Sequence, residues 1–211
     1  ATLSSFLLKH GYRRGTIDQT LFLKKDPKDI ILVDQRSDGI FIHQTKYVND
    51  ILHKFDMDTN KSAPTPFEPP KIKDKNLPDG PVIVHLYRSM IGSLMYLTAS
   101  RPDITFAMSA CARNQVSPTV SQLNDVKRIF KYIKGHPKLG LWYPRDSPFD
   151  LEAFSDSDYA GAAGDRKSTT GRCQFMSRRL ISWQCKKQTI VATSSCEAKY
   201  VAAASCCGQV L

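Results

Sequence analysis

A chain of 211 residues, 41% of them hydrophobic, can form one large domain or two small ones. Its 30 Lys and Arg against 20 Asp and Glu give a net charge of +10, which favours polyanionic partners, although a solvated basic surface explains the balance equally well. The six cysteines form no C-x-x-C pair and no apolar run approaches the ~20 residues that span a bilayer, which excludes a zinc-finger framework and a membrane-spanning helix. With no signal peptide at the start, we expect a soluble intracellular protein, cytoplasmic or nuclear, with free thiols.

The N-terminal residues predict three short elements. Residues 1–11 have the spacing of an amphipathic helix that ends at Gly11. Residues 21–26 and 30–33 are apolar runs joined by a Pro/Asp/Lys turn, which predicts two strands.

A turn and a helix are predicted next. Asp34 and Asp38 are predicted to be ordinary residues of a turn that ends at Gly39, and another strand follows it. Thr45 is a candidate cap for a helix over residues 46–55. The apolar residues of this helix fall on one face, namely Tyr47, Val48, Ile51, Leu52 and Phe55.

A proline-rich segment follows. Six of the twelve prolines lie between residues 64 and 81, mixed with Lys and Asp. Such a segment buries too little apolar surface to order itself. Residues 59–84 are therefore predicted to be a linker or a loosely attached strap.

The middle third predicts three helices, over residues 85–99, 103–114 and 117–135. Pro102 can occupy the first turn of the second helix. The third helix has a predicted buried stripe, made of Leu123, Val126, Ile129, Phe130 and Ile133.

Basic side chains lie on the same three helices. A basic helix face is usually just solvated, but three adjacent basic helices make contact with nucleic-acid phosphates a competing interpretation. The candidate nucleic-acid-binding residues are Arg88, Arg101, Lys127, Arg128, Lys131 and Lys134.

The last third predicts strands followed by a helix. Residues 151–155 predict a strand, 165–171 a polar turn, and 173–176 with 180–185 a hairpin. An alanine-rich helix begins at Ser195. Three short strands and one helix bury little apolar surface, so we expect marginal stability unless other segments complete the sheet.

Short motifs follow one another in a specific order along the chain. They are Tyr87-Arg-Ser-Met-Ile-Gly-Ser-Leu-Met-Tyr-Leu97, Ser100-Arg-Pro-Asp-Ile104, Val126-Lys-Arg-Ile-Phe-Lys-Tyr-Ile-Lys-Gly135, Gly140-Leu-Trp-Tyr143, Phe154-Ser-Asp-Ser-Asp-Tyr-Ala-Gly161, Asp165-Arg-Lys-Ser-Thr-Thr-Gly171, Ile181-Ser-Trp183 and Lys186-Lys-Gln188. In this order and spacing, the chain resembles the reverse transcriptase and ribonuclease H region of the Pol polyprotein of copia-type LTR retrotransposons. The resemblance covers essentially the whole chain.

The resemblance implies an α+β fold in four parts. Residues 1–58 resemble a partial reverse-transcriptase palm whose catalytic block is missing, and 59–84 a linker. Residues 85–145 resemble the helical thumb and connection, and 150–211 a truncated ribonuclease H-like α/β domain of order β-β-β-α. The implied partner is nucleic acid, an RNA–DNA hybrid or duplex, along whose backbone the basic helices would lie, and no membrane.

The polymerase site of the family is missing. The family follows a strand like residues 30–33 with a Tyr-Val-Asp-Asp hairpin, whose aspartates hold two magnesium ions. Here Val33 is followed directly by Asp34, in a segment that resembles one well downstream in the family. A block containing the hairpin is therefore predicted to be deleted.

The ribonuclease H site is incomplete. The family holds two Mg²⁺ ions with an Asp-Glu-Asp-Asp set. Asp156 matches the first aspartate, with Asp158 as a weaker candidate metal ligand, but Lys199 stands where the family has its glutamate. An ammonium group there would repel Mg²⁺, so we expect no productive metal binding. The remaining two aspartates would lie beyond Leu211.

Glu197 is the nearest possible substitute for that glutamate. It lies two positions from Lys199, about 200° around a helix, so the two side chains face different ways. Glu197 also completes a capping box with Ser194, which predicts a structural role at the start of the helix.

These observations support one leading hypothesis and two alternatives. The leading hypothesis is an inactive Pol fragment that keeps some nucleic-acid affinity. The first alternative is residual Mg²⁺-dependent ribonuclease H activity through Asp156 and Glu197. The second is a domesticated nucleic-acid-binding module.

Overall fold

The computed structural model of the chain describes residues 13–14, 22–23, 31–68, 79–162 and 164–210. Its strands are β1 (Arg13–Arg14), β2 (Phe22–Leu23), β3 (Leu32–Arg36), β4 (Gly39–His43), β5 (Gly140–Pro144), β6 (Leu151–Ser157), β7 (Thr169–Met176) and β8 (Arg179–Lys187). Its helices are α1 (Thr45–Lys54), α2 (Val84–Leu97), a 3-10 turn at Pro102–Ile104, α3 (Thr105–Ala112), α4 (Val120–Gly135) and α5 (Ser195–Val210). The mixture of helices and antiparallel strands confirms the predicted α+β class.

The hydrophobic core lies among helices α1 to α4. Their apolar residues recur every three or four positions, so each helix turns one face inward. All five residues of the stripe predicted on α4 are buried, and on α1 Val48, Ile51 and Leu52 are buried with Tyr47 and Phe55 packed against them. Further buried side chains come from α2 and α3, including Tyr87, Ile91, Leu94, Leu97 and Ala107.

The starts of α1 and α4 differ from their predictions. Helix α4 begins after Thr119, whose hydroxyl and backbone N–H form a capping box with Gln122. The cap predicted at Thr45 is wrong, because Thr45 is already the first residue of α1. Its hydroxyl lies 2.7 Å from Nδ1 of His43 instead.

Arg101 is a charged side chain inside the fold, with 1% of its surface exposed. Its guanidinium donates two parallel hydrogen bonds to the Asp103 carboxylate, at 2.9 and 2.8 Å, and a third to the backbone carbonyl of His136 at 2.9 Å. The ring of Tyr132 lies 5.8 Å from it. The buried charge is therefore paired and hydrogen-bonded, which is the condition for its burial.

Strands β3, β4 and β5 form an antiparallel sheet in that order, called the small sheet below. Arg36 pairs with Gly39, so the β3–β4 turn contains only two residues. The prediction that Asp34 lies in the turn is therefore wrong: Asp34 continues β3, opposite Phe41. Strand β5, which was not predicted, returns from the end of α4 to complete the sheet.

Strands β6, β7 and β8 form the C-terminal sheet, one face of which is covered by α5. Helix α5 buries Ala198, Ala202 and Cys206, which recur every four residues along one face. The polar turn predicted over residues 165–171 is too long, because Thr169 is already the first residue of β7 and pairs with Lys187 of β8. The predicted order of three strands and a helix is confirmed.

The predicted hairpin around residues 177–179 is confirmed. Met176 pairs with Arg179, which leaves Ser177 and Arg178 as a two-residue turn. Their φ angles are 55° and 61°, as a type I′ turn requires. Both residues therefore adopt the left-handed region without being glycine.

Side chains from several elements join the C-terminal sheet to the rest of the chain. The Trp183 indole N–H donates to the carbonyl of Thr98 at 3.0 Å, and Arg113 donates to the Thr169 hydroxyl at 2.6 Å. Arg179 donates two hydrogen bonds to the carbonyl of Pro144. These bonds hold the sheet against α2, α3 and β5.

The first described part of the proline-rich segment, residues 60–68, lies along α4 and is called the strap below. Ala63 donates its N–H to the carbonyl of Lys131 at 3.2 Å, and Arg128 donates to the carbonyl of Thr65 at 3.1 Å. The strap runs antiparallel to the helix, because Asn60 meets Lys134 further along α4. Residues 69–78 lie outside the described residues, as do the helix predicted at 1–11 and most of the strand predicted at 21–26.

All six cysteines are free thiols, as predicted. Burial in the core raises the pKa of the Cys111 thiol to about 12. No helix in the described parts of the chain is long and apolar enough to cross a membrane.

Replacing Arg101 should destabilise the fold strongly. We expect Arg101→Ala to lower the free energy of unfolding by about 3 kcal/mol, because it leaves a carboxylate and a carbonyl without their buried donor. Urea unfolding followed by circular dichroism measures this. The control is Arg88→Ala, at an exposed arginine, which should change stability by no more than ~0.5 kcal/mol. Equal effects of the two variants would contradict a structural role for Arg101.

The type I′ turn makes a prediction of opposite sign. Arg178→Gly should stabilise the protein by about 0.5–1 kcal/mol, because glycine relieves the left-handed strain and this relief exceeds its entropic cost. Lys186→Gly is the matched control, since it removes an exposed basic side chain from an extended position in β8 and should destabilise. Thermal unfolding midpoints of the two variants should move in opposite directions.

Candidate active site and nucleic-acid interface

Asp156 lies near the end of β6, opposite Gly171 of β7, and its side chain is exposed. No described residue forms a hydrogen bond or an ion pair with its carboxylate. The carboxylate predicted to be the first metal ligand is thus free to bind a cation.

Asp158 is engaged in the turn that follows β6. The strand ends at Ser157, and the Asp158 carboxylate accepts the backbone N–H of Thr169 at 2.6 Å. Its oxygen would lie 2.4 Å from a Cβ atom added at Gly161, so only glycine admits the carboxylate in this position. Asp158 therefore stabilises the loop between β6 and β7 through one of its two carboxylate oxygens.

Glu197 caps α5. Its Oε2 accepts the backbone N–H of Thr193 at 2.6 Å and the Thr193 hydroxyl at 2.7 Å. The backbone N–H of Glu197 donates to the hydroxyl of Ser194 at 3.1 Å, which confirms the predicted capping role with Thr193 as the second partner. These donors favour the ionised form and hold the pKa of Glu197 below its usual range.

Lys199 is exposed, directly after the buried Ala198. The carbonyl of Ala198 accepts a hydrogen bond from the Gln188 side chain at 2.9 Å, which fixes the first turn of α5 against the sheet. Glu197 and Lys199 are the residues before and after Ala198. Lys199 therefore lies in a helical turn whose backbone is fixed by a hydrogen bond, on the helix that packs against β6.

This donor set does not fit a pair of magnesium ions. Mg²⁺ requires several oxygen ligands in near-octahedral geometry. Asp158 and Glu197 each have one carboxylate oxygen bonded to a backbone N–H group, and Lys199 places an ammonium group at the next candidate position. Among the described residues, no group of three or more His, Cys, Asp or Glu side chains is placed to hold a metal ion.

The predicted phosphate-binding residues on α4 fall into two pairs. Lys127 and Lys131 lie four positions apart on one helix face, and no described residue bonds either ammonium group. Arg128 forms an ion pair with Glu68 at 2.5 Å and donates to Thr65. Lys134 donates to the backbone carbonyl of Asn60. The strap thus binds one pair and leaves the other free.

The remaining two candidates, on or near α2, differ in exposure. Arg88 is exposed and donates to the carbonyl of Gln115 at 3.0 Å, so part of its guanidinium stays in solvent. Arg101 is buried as described above, and its guanidinium has no surface that a phosphate could reach. The structure therefore leaves Arg88, Lys127 and Lys131 as the accessible members of the predicted set.

Sequence reasoning overlooked two features of this surface. The strap is held on α4 by individual hydrogen bonds, such as that from the Ala63 N–H to the Lys131 carbonyl. Such bonds leave no periodic pattern in the sequence. The aromatic side chains of the small sheet were also overlooked. A signal was available: Phe41 and His43 alternate with Ile40 and Ile42 along β4, which is the period of a strand with two different faces.

Comparison with known proteins identifies relatives among plant sequences. An uncharacterized mitochondrial protein of Arabidopsis thaliana is 36% identical over 178 residues, which are 82% of this chain and 72% of that protein. The retrovirus-related Pol polyprotein from transposon RE1 of the same plant is 36% identical over 165 residues, 77% of this chain. The one from transposon TNT 1-94 of Nicotiana tabacum is 34% identical over 180 residues, 82% of this chain.

The chain spans 11% and 14% of the length of those two polyproteins. No protein-family model matches it, and no solved structure does. The relatives align with most of the chain, and the mitochondrial protein is matched over more than two thirds of its own length. The chain therefore belongs to the Pol polyprotein family of copia-type retrotransposons.

Proposed function

We propose that this chain is a Pol fragment that binds nucleic acid and does not catalyse phosphodiester chemistry. In this proposal residues 1–58 belong to the palm, 59–84 to a linker, 85–145 to the thumb and connection, and 150–211 to a ribonuclease H-like domain. The order β6-β7-β8-α5 supports the last assignment. The strap modifies the second, because residues 60–68 of the linker lie against α4.

The bonding of Glu197 is the observation that carries the loss of catalysis. A two-metal site needs carboxylates that are free to bind ions. Glu197 instead accepts two hydrogen bonds from Thr193, at the start of α5. A metal ion bound to this oxygen would have to displace both donors. Lys199 then adds a positive charge where the family has its ligand.

Nucleic-acid binding is supported by the free cations of α4. Lys127 and Lys131 are half-buried on one helix face, with no described residue bonded to either ammonium group, and Arg88 of α2 adds an exposed cation. Each contact of this kind releases counterions from the phosphate backbone, which makes the affinity depend steeply on salt. Backbone contacts without base-specific groups position a duplex but do not select a sequence. We therefore propose a weak, salt-sensitive interaction with an RNA–DNA hybrid or duplex.

The catalytic half of the proposal predicts no cleavage. The purified chain, incubated with a labelled RNA–DNA hybrid and Mg²⁺, should leave the RNA intact at every metal concentration, while an active ribonuclease H cuts the same hybrid. Asp156→Asn should behave like the unmodified chain, because Asp156 alone cannot position two ions. Cleavage that disappears in Asp156→Asn and in Glu197→Gln would establish residual activity and overturn this half.

The binding half predicts a loss that is specific to α4. Lys127→Gln/Lys131→Gln should weaken hybrid binding and reduce the slope of log affinity against log salt by about 2, one for each phosphate contact. Fluorescence anisotropy at ~50–200 mM salt measures both quantities. Lys46→Gln/Lys186→Gln removes the same charge from exposed positions on α1 and β8. Equal losses in the two double variants would mean that net charge, and not the α4 face, drives binding.

A further inference from the structure

One face of the small sheet carries a row of rings and a cation. Cross-strand pairing places Asp34, Phe41 and Trp142 opposite one another on β3, β4 and β5. Side chains two residues apart on a strand share a face, so Arg36 and His43 lie on the same side. Arg36, Phe41, His43 and Trp142 are called the aromatic face below.

The rings of this face contact one another. Phe41 and His43 stack with their centroids 5.1 Å apart and their planes inclined by 25°. The Arg36 guanidinium lies 5.8 Å from the centroid of Phe41 and 5.9 Å from that of Trp142, so one cation serves both rings. The Asp34 carboxylate lies 3.3 Å from His43 and closes the row on that side.

Trp142 packs closely against a glycine. A Cβ atom added at Gly39 would lie 2.7 and 2.8 Å from two carbons of the indole ring. Only glycine therefore leaves room for the ring at this point on β4. The indole lies close to Gly39, and 38% of the Trp142 surface remains exposed.

The opposite face of the small sheet is partly covered. Leu141 is buried there, and the hydroxyl of Tyr143 donates to the carbonyl of Leu180 on β8 at 2.7 Å. Val33 and Ile40 on that side are 37% and 38% exposed, so the difference between the two faces is chemical: one is aliphatic, and the other carries rings beside a cation. The exposed part of the Trp142 indole offers a flat apolar surface to a ligand.

A cation beside the rings favours one ligand class. We propose that the aromatic face binds single-stranded nucleic acid, with an unpaired base stacked on Trp142 and the Arg36 guanidinium beside the phosphate backbone. Every base has a flat π-surface, and stacking on an aromatic side chain contributes about 1–3 kcal/mol per base. Arg145 adds a second cation at the end of the β3–β4 turn, where its guanidinium donates to the carbonyl of Ser37 at 3.5 Å.

This inference rests on the proposed function and names a second site for the same class of ligand. The free cations of α4 suit the backbone of a duplex, which hides its bases. The aromatic face suits bases that are not paired. The two sites therefore predict different responses to single-stranded and double-stranded probes.

The two tryptophans make the inference measurable. Trp183 is tied to the carbonyl of Thr98, so Trp183→Phe leaves Trp142 as the single indole of the chain. Oligo(dT) of about 16 nucleotides should quench the fluorescence of this variant, since a stacked base lies against the ring. Trp142→Phe, which keeps Trp183 as the reporter, should show no quenching.

Affinities of the intact chain complete the test. Trp142→Ala should weaken oligo(dT) binding about tenfold, while Trp142→Phe, which keeps a ring, loses less. Neither change should alter the affinity for an RNA–DNA hybrid. Quenching of Trp142 by a proline-rich peptide, but not by oligo(dT), would overturn the inference in favour of a protein partner.

The remaining outcomes separate this inference from the proposed function. If the hybrid binds through Lys127 and Lys131 while oligo(dT) leaves Trp142 fluorescence unchanged, the inference fails and the proposed function stands. If neither probe binds at ~50 mM salt, both fail. Quenching depends only on the intact aromatic face, so it decides the matter even where Trp142→Ala does not fold.

Discussion

A buried guanidinium holds the helical part of this fold together. Arg101 is excluded from water, and its charge is tolerated because Asp103 accepts two of its N–H groups and the carbonyl of His136 accepts another. Since Asp103 lies in the 3-10 turn before α3 and His136 follows α4, one side chain fixes the start of one helix to the end of the other. The chain leaves α4 from this point to form β5, so the position of Trp142 also depends on the contact.

Two of the candidate metal-binding carboxylates, Asp158 and Glu197, are hydrogen-bonded to nearby residues. The Asp158 carboxylate accepts the N–H of Thr169, at the start of the neighbouring strand. The Glu197 carboxylate accepts two hydrogen bonds from Thr193, four residues earlier at the start of the helix. A carboxylate bonded in this way is stable in its ionised form and contributes to folding. The proposed loss of catalysis is thus compatible with a well-formed C-terminal sheet.

The strap divides the basic surface in a way that charge alone does not reveal. Arg128 and Lys134 belong to the same helix as Lys127 and Lys131, yet they bind backbone carbonyls of the strap. Strap docking also covers part of α4 that a nucleic acid would otherwise reach. The number of cations available to a phosphate backbone is therefore smaller than the net charge of +10 suggests.

Elements with a strong period were predictable from the amino acids alone. The buried stripe of α4 recurs every three or four residues, and the hairpin at Ser177–Arg178 separates two apolar runs, so local pattern determines both. The family and the α+β class likewise followed from the order of motifs. The cap of Glu197 was predictable because it joins residues only three or four positions apart.

Contacts between distant residues were decided by the tertiary structure. Arg101 was assigned to the nucleic-acid surface because its sequence neighbours do not reveal that His136, 35 residues away, would supply a carbonyl. Asp34 was placed in a turn because the pairing of Arg36 with Gly39, which extends β3, is set by the sheet as a whole. The aromatic face forms only because β5 pairs with β4. Lys127 and Lys131 stay unbonded because the strap lies against Arg128 and Lys134 instead. Burial and partnership depend on long-range packing, and a linear pattern records only which side chains are present.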